Sequence, residues 1–180
     1  PTPRGPLLSR KPFLAKYIAS LNHKIFDYSM KLCGVESSCL CQGDEIVYID
    51  RAYSERSGMQ VVRAIGGRAP LHLTSVGKLF LASDDPNQVR AYVTRTGLSG
   101  HTRNSITELG KLDEELNQVR KMGHARDNEE LELGVSCVAA EILDDSGKLV
   151  AGLSLSSPTD RIQSDWLKRH NLTAGQSQFH

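Results

Sequence analysis

Apolar residues near the start of the chain recur at alternating spacings of four and three residues. This 3.5-residue period predicts a helix from residue 12 with a single apolar seam. The seam either packs on the core of its own domain or is shared with a second subunit. Residues 1–11 contain three prolines and no periodicity, and they predict a flexible lead-in. The seam consists of Leu14, Ile18, Leu21, Ile25, Tyr28 and Leu32.

After Gly34 the pattern changes to the two-residue alternation of strands. The Gln42-Gly43-Asp44 turn predicts a hairpin, because glycine tolerates the positive φ that such turns need. A second turn at 144–147 (Asp-Asp-Ser-Gly) predicts another hairpin near the end of the chain. Strands are predicted at 37–41, 45–51, 59–65, 70–74, 136–143 and 148–156.

Helices are predicted between and after these strands. Asp85-Pro86 is a typical helix start, and Gly97 is a typical helix end. Ser105 and Glu108 have capping-box spacing before an amphipathic helix that ends at Gly123. Further helices are predicted at 75–82 and 162–170. The order of elements predicts an α+β fold, a sandwich of flanking helices on a mainly antiparallel central sheet.

Composition narrows the class of protein. The chain has 180 residues, 39% hydrophobic and 24% charged, with a net charge of +1. These values are typical of a globular domain, and the near-neutral charge argues against DNA binding by this chain alone. No apolar run is long enough to span a bilayer, and no signal peptide opens the chain, so we expect a cytoplasmic protein. The start at Pro1, without a methionine, suggests a fragment.

The segment Ser75-Val76-Gly77-Lys78 places a glycine and a lysine at the start of a predicted helix. It is not a Walker phosphate loop, because His72 occupies the position of the loop's first glycine. A helix start can bind a carboxylate or phosphate through its unpaired N–H groups. The alternative is an ordinary helix that Ser75 caps.

Two predicted strands bring small polar side chains together. Ser154 and Ser156 share a strand face, where Gly152 leaves a gap, and Cys137 lies on the preceding strand. They form either a polar concavity or a buried thiol beside ordinary strand serines, and the spacing alone favours the second reading.

Other chemistry has weaker support. A catalytic Cys137 would need a histidine base, and no nucleophile signature surrounds it. Cys39 and Cys41, with Cys33 nearby, lack the spacing and the fourth ligand of a zinc site. The acidic run from Asp127 to Glu132 is most simply a solvated connection. We predict no metal and no cofactor.

The order of motifs from about residue 34 to 161 resembles the effector-binding domain of the IclR family of bacterial transcription regulators. The matching segments are GDEIVYIDR (43–51), GGRAPLHLTSVGKLFLA (66–82), TRNSITELGKLDEELNQVRKMGHARDNEELELGVSCVAA (102–140) and VAGLSLSSPTDR (150–161). The resemblance implies a GAF-related effector domain over residues 12–180. The family's N-terminal winged helix-turn-helix, which binds operator DNA, is not in this sequence.

The resemblance also implies a function. Family members are repressors or activators that form homodimers or homotetramers and sense small organic acids or sugar-derived metabolites. Asp127 would lie at the mouth of the pocket, with Leu73 on its apolar side. Carried over by position, the effector pocket would comprise Val61, Ala69, Ser75, Val76, Gly77, Asp127, Cys137, Ser154 and Ser156.

Two other functions stay open at this point. The chain could be a GAF-like sensor joined to a different output domain. Less favoured is a cysteine-dependent enzyme, which would require a reactive thiolate at Cys137.

Overall fold

The computed structural model describes residues 35–53 and 65–161. This part of the chain forms one six-stranded sheet and three α-helices. The strands are β1 (Val35–Gln42), β2 (Glu45–Tyr53), β3 (Arg68–Pro70), β4 (His124–Asn128), β5 (Val135–Leu143) and β6 (Leu149–Pro158). The helices are α1 (Ser75–Ser83), α2 (Pro86–Thr96) and α3 (Leu109–Met122), and 3-10 turns lie at Leu71–Leu73 and Thr159–Arg161.

The sheet has the order β3-β2-β1-β6-β5-β4, and every pairing is antiparallel. The two predicted hairpins, β1–β2 and β5–β6, therefore lie side by side through the β1–β6 pairing. In the register of that pairing Ser37 is opposite Ser154, and in the next pairing Cys137 is opposite Ser156. Residues opposite each other share a face of the sheet, so these four side chains point to the same side.

Helix α1 packs on this face of the sheet and fixes the position of the site. Gly152 on β6 permits the approach, because a Cβ atom there would lie 2.5 Å from Cγ1 of Val76. The space over Gly152 is thus filled by Val76, not left as the expected gap. Leu112, Leu116 and Val119 of α3 are buried in the same core, as their helical spacing predicts.

The structure confirms the predicted α+β class with an antiparallel sheet and flanking helices. It also confirms both ends of α2, where Asp85 accepts hydrogen bonds from the N–H groups of Asn87 and Gln88 and Gly97 is left-handed with φ 65°. Gly123 ends α3 in the same conformation, with φ 69°.

Three local predictions are wrong. The strand expected at 70–74 ends at Pro70, and the chain then turns through Leu71–Leu73 into α1. Thr74, not Ser75, caps α1. Ser105 does not cap α3: its hydroxyl accepts from the N–H groups of His101 and Thr102, which holds the preceding loop instead.

Several predicted elements lie outside the described residues. They are the seam helix at 12–32, the strand at 59–65 except Ile65, the helix at 162–170, and Cys33. Within the described residues, no helix is long and apolar enough to cross a membrane.

Candidate functional site

A cavity lies between the sheet and the start of α1, and its free space together with the solvent at its open mouth is about 250 Å³. The residues that line it are Ile46, Tyr48, Thr74, Ser75, Val76, Asp127, Leu131, Cys137, Ser154 and Ser156.

The start of α1 forms one wall of the cavity. Thr74 has extended backbone angles, and its Oγ1 accepts a hydrogen bond of 3.1 Å from the N–H of Gly77. The N–H of Lys78 donates to the Thr74 carbonyl. Ser75 and Val76 are the first two helical residues, and their N–H groups have no acceptor within the helix. They lie beside the cavity at the positive end of the helix dipole.

Polar side chains from three neighbouring strands form the floor. Asp127, Cys137 and Ser156 lie opposite one another on β4, β5 and β6. The Cys137 thiol donates to the Ser156 hydroxyl at 3.1 Å, so the hydroxyl hydrogen of Ser156 can point to a ligand. Ser154 donates at 3.4 Å to the carbonyl of Ser37, a long bond that a ligand acceptor can replace.

Asp127 is the acid of the floor, and it is 2% exposed. Its Oδ1 accepts a hydrogen bond of 2.7 Å from the N–H of Glu130. Burial raises the pKa of Asp127 to about 7; the Glu130 charge adds to this, while Lys78 and the N–H donors oppose it. The carboxyl therefore changes charge near neutral pH.

A buried ion cluster lies beside this acid. Lys78 is fully buried, and its Nζ donates to Glu130 at 2.7 Å, to the Arg126 carbonyl at 2.8 Å and to Glu115 at 3.1 Å. An ammonium group has three N–H donors, so this set uses all of them. Lys78 thus joins α1, α3 and β4, and it has no donor left for a ligand.

The acidic run from Asp127 to Glu132 is consequently not the solvated connection that its composition suggests. Asp127 lies on strand β4, which the sequence did not predict, and Glu130 is 4% exposed. The reason is Lys78, which is buried 52 positions away along the chain and attracts Glu130 inward. Gly134, with φ 81°, then lets the chain turn into β5.

The surroundings of Cys137 disfavour the thiolate form that a nucleophilic cysteine needs. Burial, and then the nearby Asp127 charge, raise its pKa well above the usual value. The His72 ring is engaged elsewhere and does not serve the thiol as a base: Nε2 lies 3.1 Å from the Ser99 carbonyl and Nδ1 lies 2.6 Å from the Tyr92 hydroxyl. A carbonyl accepts only, so Nε2 carries the proton and Nδ1 accepts from Tyr92.

The part of the chain that the structure describes contains no group of three or more His, Cys, Asp or Glu side chains that could hold a metal ion.

The structure brings six of the nine predicted site residues to the cavity wall; the other three, and Leu73 of the expected apolar side, do not line it. Val61 is outside the described residues. Ala69 and Leu73 are buried in the core and do not line the cavity. The residues it does bring together are Ser75, Val76, Asp127, Cys137, Ser154 and Ser156.

Gly77 has a different role from the one predicted. Its N–H is used by the Thr74 cap, so it is not available to a ligand. A Cβ at this position would overlap the backbone of Leu71. Gly77 therefore allows α1 to pack closely against the preceding turn.

Sequence reasoning missed four lining residues, Ile46, Tyr48, Thr74 and Leu131. Ile46 and Tyr48 are two apart on β2, so strand alternation places them on one face, but it does not say which face meets α1. Thr74 is as good a cap as Ser75, and only the backbone angles distinguish them.

Comparisons with known proteins agree with this architecture. The family described as "Bacterial transcriptional regulator IclR C-terminal" matches residues 37–174. The HTH-type transcriptional regulator KdgR of Dickeya chrysanthemi is 37% identical over 131 residues, 73% of this chain and 42% of that protein. The transcriptional repressor IclR of Escherichia coli K12 is 34% identical over 154 residues, 84% of this chain and 56% of that protein.

A solved structure has the same fold. It is the inducer-binding domain of a double mutant of the transcription factor PobR from Acinetobacter, in complex with 3-hydroxybenzoic acid. The TM-score is 0.72 at 28% identity, over 80% of this chain and 84% of that domain. The chain spans about half the length of the curated relatives it matches. It belongs to the IclR family of bacterial transcription regulators and corresponds to their C-terminal domain.

Proposed function

We propose that this chain is the effector-binding domain of an IclR-type transcription regulator and that its effector is a small organic acid. The observation that carries the proposal is the cavity, where three serine hydroxyls and the first N–H groups of α1 converge. These are hydrogen-bond donors, and a carboxylate is the ligand group that needs several donors at once when it leaves water.

The family comparison supports a ligand of this class. The PobR domain was solved with 3-hydroxybenzoic acid, a small carboxylic acid. In this chain Ile46, Tyr48 and Leu131 give the cavity apolar surface for the body of such a ligand. The hydroxyls of Ser75, Ser154 and Ser156 and the N–H of Val76 are the proposed carboxylate donors.

Regulation would require DNA binding and assembly. The relatives are an HTH-type regulator and a repressor, so we infer that ligand binding here alters operator binding by a linked helix-turn-helix domain. Formation of a homodimer or homotetramer is part of the same proposal, and it rests on the seam helix, which lies outside the described residues. Sedimentation of an Ile18→Asp variant tests it: a folded variant that still associates would contradict pairing through the seam.

The affinity expected from this site is modest. Donors that are hydroxyls and backbone N–H groups, without a cation, suggest micromolar binding, on the order of 8 kcal/mol. Removal of one hydroxyl that bonds a charged ligand costs about 1.5–3 kcal/mol. Each of Ser154→Ala and Ser156→Ala should therefore weaken binding about tenfold or more.

Calorimetry tests the proposal, with a ligand chosen by thermal shift from small carboxylic acids and their amides. The matched control is Ser157→Ala: this serine is the next residue on β6, faces the other side of the sheet, and its buried Oγ has no hydrogen-bond partner. Ser157→Ala should bind like the parent. If Ser154→Ala and Ser156→Ala also bind like the parent, the acid does not occupy this cavity.

A further inference from the structure

The charges around the cavity are unbalanced before any ligand enters. Lys78 supplies one positive charge, against the three carboxylates of Glu115, Glu130 and Asp127. Glu115 is partly exposed, with 31% of its side chain open to solvent, but Glu130 and Asp127 are buried. None of the described residues that line the cavity is an arginine or lysine.

A second carboxylate in this space would meet the first. The cavity is small, and Asp127 shares its wall with the serines that would hold the ligand. Two carboxylates in one poorly solvated site cannot both remain ionised at little cost, and the usual result is that the pair shares a proton.

We propose that the cavity binds its carboxylate ligand together with one proton, which Asp127 carries and donates to the ligand. This inference rests on the proposed function above. The proton comes from solvent: ionised Asp127 takes it up as the complex forms, and the resulting O–H bonds a ligand carboxylate oxygen. A protonated carboxyl still has oxygen acceptors for the Glu130 N–H, so the loop after β4 keeps its contact.

Two other groups near Asp127 do not supply a positive charge that would balance the ligand carboxylate. From α1, Lys78 has its donors occupied by Glu130, Glu115 and a carbonyl. From β5, the Cys137 thiol donates to Ser156 and stays neutral, because burial raises its pKa.

Two further ionisable groups lie on β2. Tyr48 lines the cavity with a phenol. Arg51 is opposite Ser37 in the β1–β2 pairing, so it is on the site's face of the sheet, but it does not line the cavity.

The acid is already close to the required state. Burial raises the pKa of Asp127 to about 7, so a small further increase protonates it in the complex. The expected proton uptake is about 0.9 per ligand at pH 8 and about 0.1 at pH 6. The dissociation constant should rise about tenfold per pH unit above pH 7 and change little between pH 6 and pH 7.

Calorimetry in two buffers measures the uptake directly. The 180-residue chain is titrated at pH 8, in HEPES and in Tris, with the tightest binder among acetate, propionate, lactate, benzoate and 3-hydroxybenzoate. Because the two buffers release protons with different heats, the difference in binding heat gives the number of protons taken up. The amide of the same acid is the control ligand, and it should bind without uptake.

An Asp127→Asn variant tests the residue. Asparagine keeps an acceptor for the loop and, like a protonated acid, has a donor, so the variant should bind the acid about tenfold tighter than the parent at pH 8, without proton uptake. Asp145→Asn, at the exposed tip of the β5–β6 hairpin, should keep the parent's uptake. If Asp127→Asn does not fold, the two-buffer result on the parent still decides.

The outcomes separate the two proposals. Acid binding at pH 8 without proton uptake would overturn this inference and leave the effector site in place. Uptake that persists in Asp127→Asn would overturn the assignment to Asp127. If none of the five acids binds, the organic-acid function fails, and this inference fails with it.

Discussion

Replacement of Lys78 by methionine should destabilise the protein strongly, although lysine is rarely a core residue. The substitution leaves Glu130 without its 2.7 Å partner, and the other oxygen of that carboxylate, Oε2, already has no hydrogen-bond partner. The Glu130 side chain is 6% exposed, so water does not replace the lost ammonium group. Removal of one member of a buried ion pair costs about 3–5 kcal/mol.

The magnitude can be measured by thermal and urea denaturation at pH 7. A loss of 1 kcal/mol lowers the melting temperature of a chain of this size by about 2–4 °C, so the expected decrease is on the order of 10 °C. The matched control is Lys111→Met, which removes an ion pair with Glu108 in which both side chains are 65% exposed. That change should cost less than about 0.5 kcal/mol, because solvent screens an exposed pair.

A second substitution separates the buried charge from the loss of packing. The double variant Lys78→Met, Glu130→Gln removes the unpaired carboxylate and should recover at least about half of the lost stability. A Lys78→Met protein within about 1 kcal/mol of the parent would refute the account of this cluster. So would a double variant less stable than Lys78→Met alone.

Three more predictions concern packing, pH and the thiol. Gly77→Ala should destabilise the protein by about 2–3 kcal/mol, because the added Cβ would overlap the Leu71 backbone. The control Gly110→Ala, in open space on α3, should stabilise the protein slightly. Equal melting temperatures for the two variants would contradict this. Burial lowers the pKa of His72, so the unfolded chain binds more protons than the folded chain as pH falls below about 6.5. The stability advantage of the parent over His72→Gln should therefore shrink as pH falls from 7 to 5, by at most about 1.4 kcal/mol per pH unit. An advantage that grows as pH falls would contradict this. Because burial raises the pKa of Cys137, iodoacetamide at pH 7.5 should modify this thiol at least about tenfold more slowly in the folded chain than in urea. Peptide mapping follows the modification, and a faster reaction in the folded chain would favour a reactive thiolate.

Local sequence signals predicted most of the described fold. The Gln42-Gly43-Asp44 turn, the Asp85 cap and the Gly97 stop each depend on the backbone preferences of a few neighbouring residues, and each forms as expected. Alternation along β6 placed Ser154 and Ser156 on one face, and the hairpin turn brought Cys137 to the neighbouring strand, but only the register in the structure sets Cys137 opposite Ser156.

Two of the wrong predictions, the solvated acidic run and the Ser105 cap, were decided by long-range partners. Glu130 is buried because Lys78 is, and nothing within either segment indicates the pairing. Ser105 has the spacing of a capping residue, but its hydroxyl also donates to the Glu130 carbonyl and so fastens the loop after β4. Local propensity does not contain these contacts.

A crystal structure of the chain with its tightest-binding small carboxylic acid tests the central claim most directly. The account predicts the ligand in the cavity between α1 and the sheet, its carboxylate oxygens about 3 Å from the hydroxyls of Ser154 and Ser156 and from the Val76 N–H, with Asp127 within hydrogen-bond distance. An acid bound at another surface, with this cavity holding only water, would contradict it.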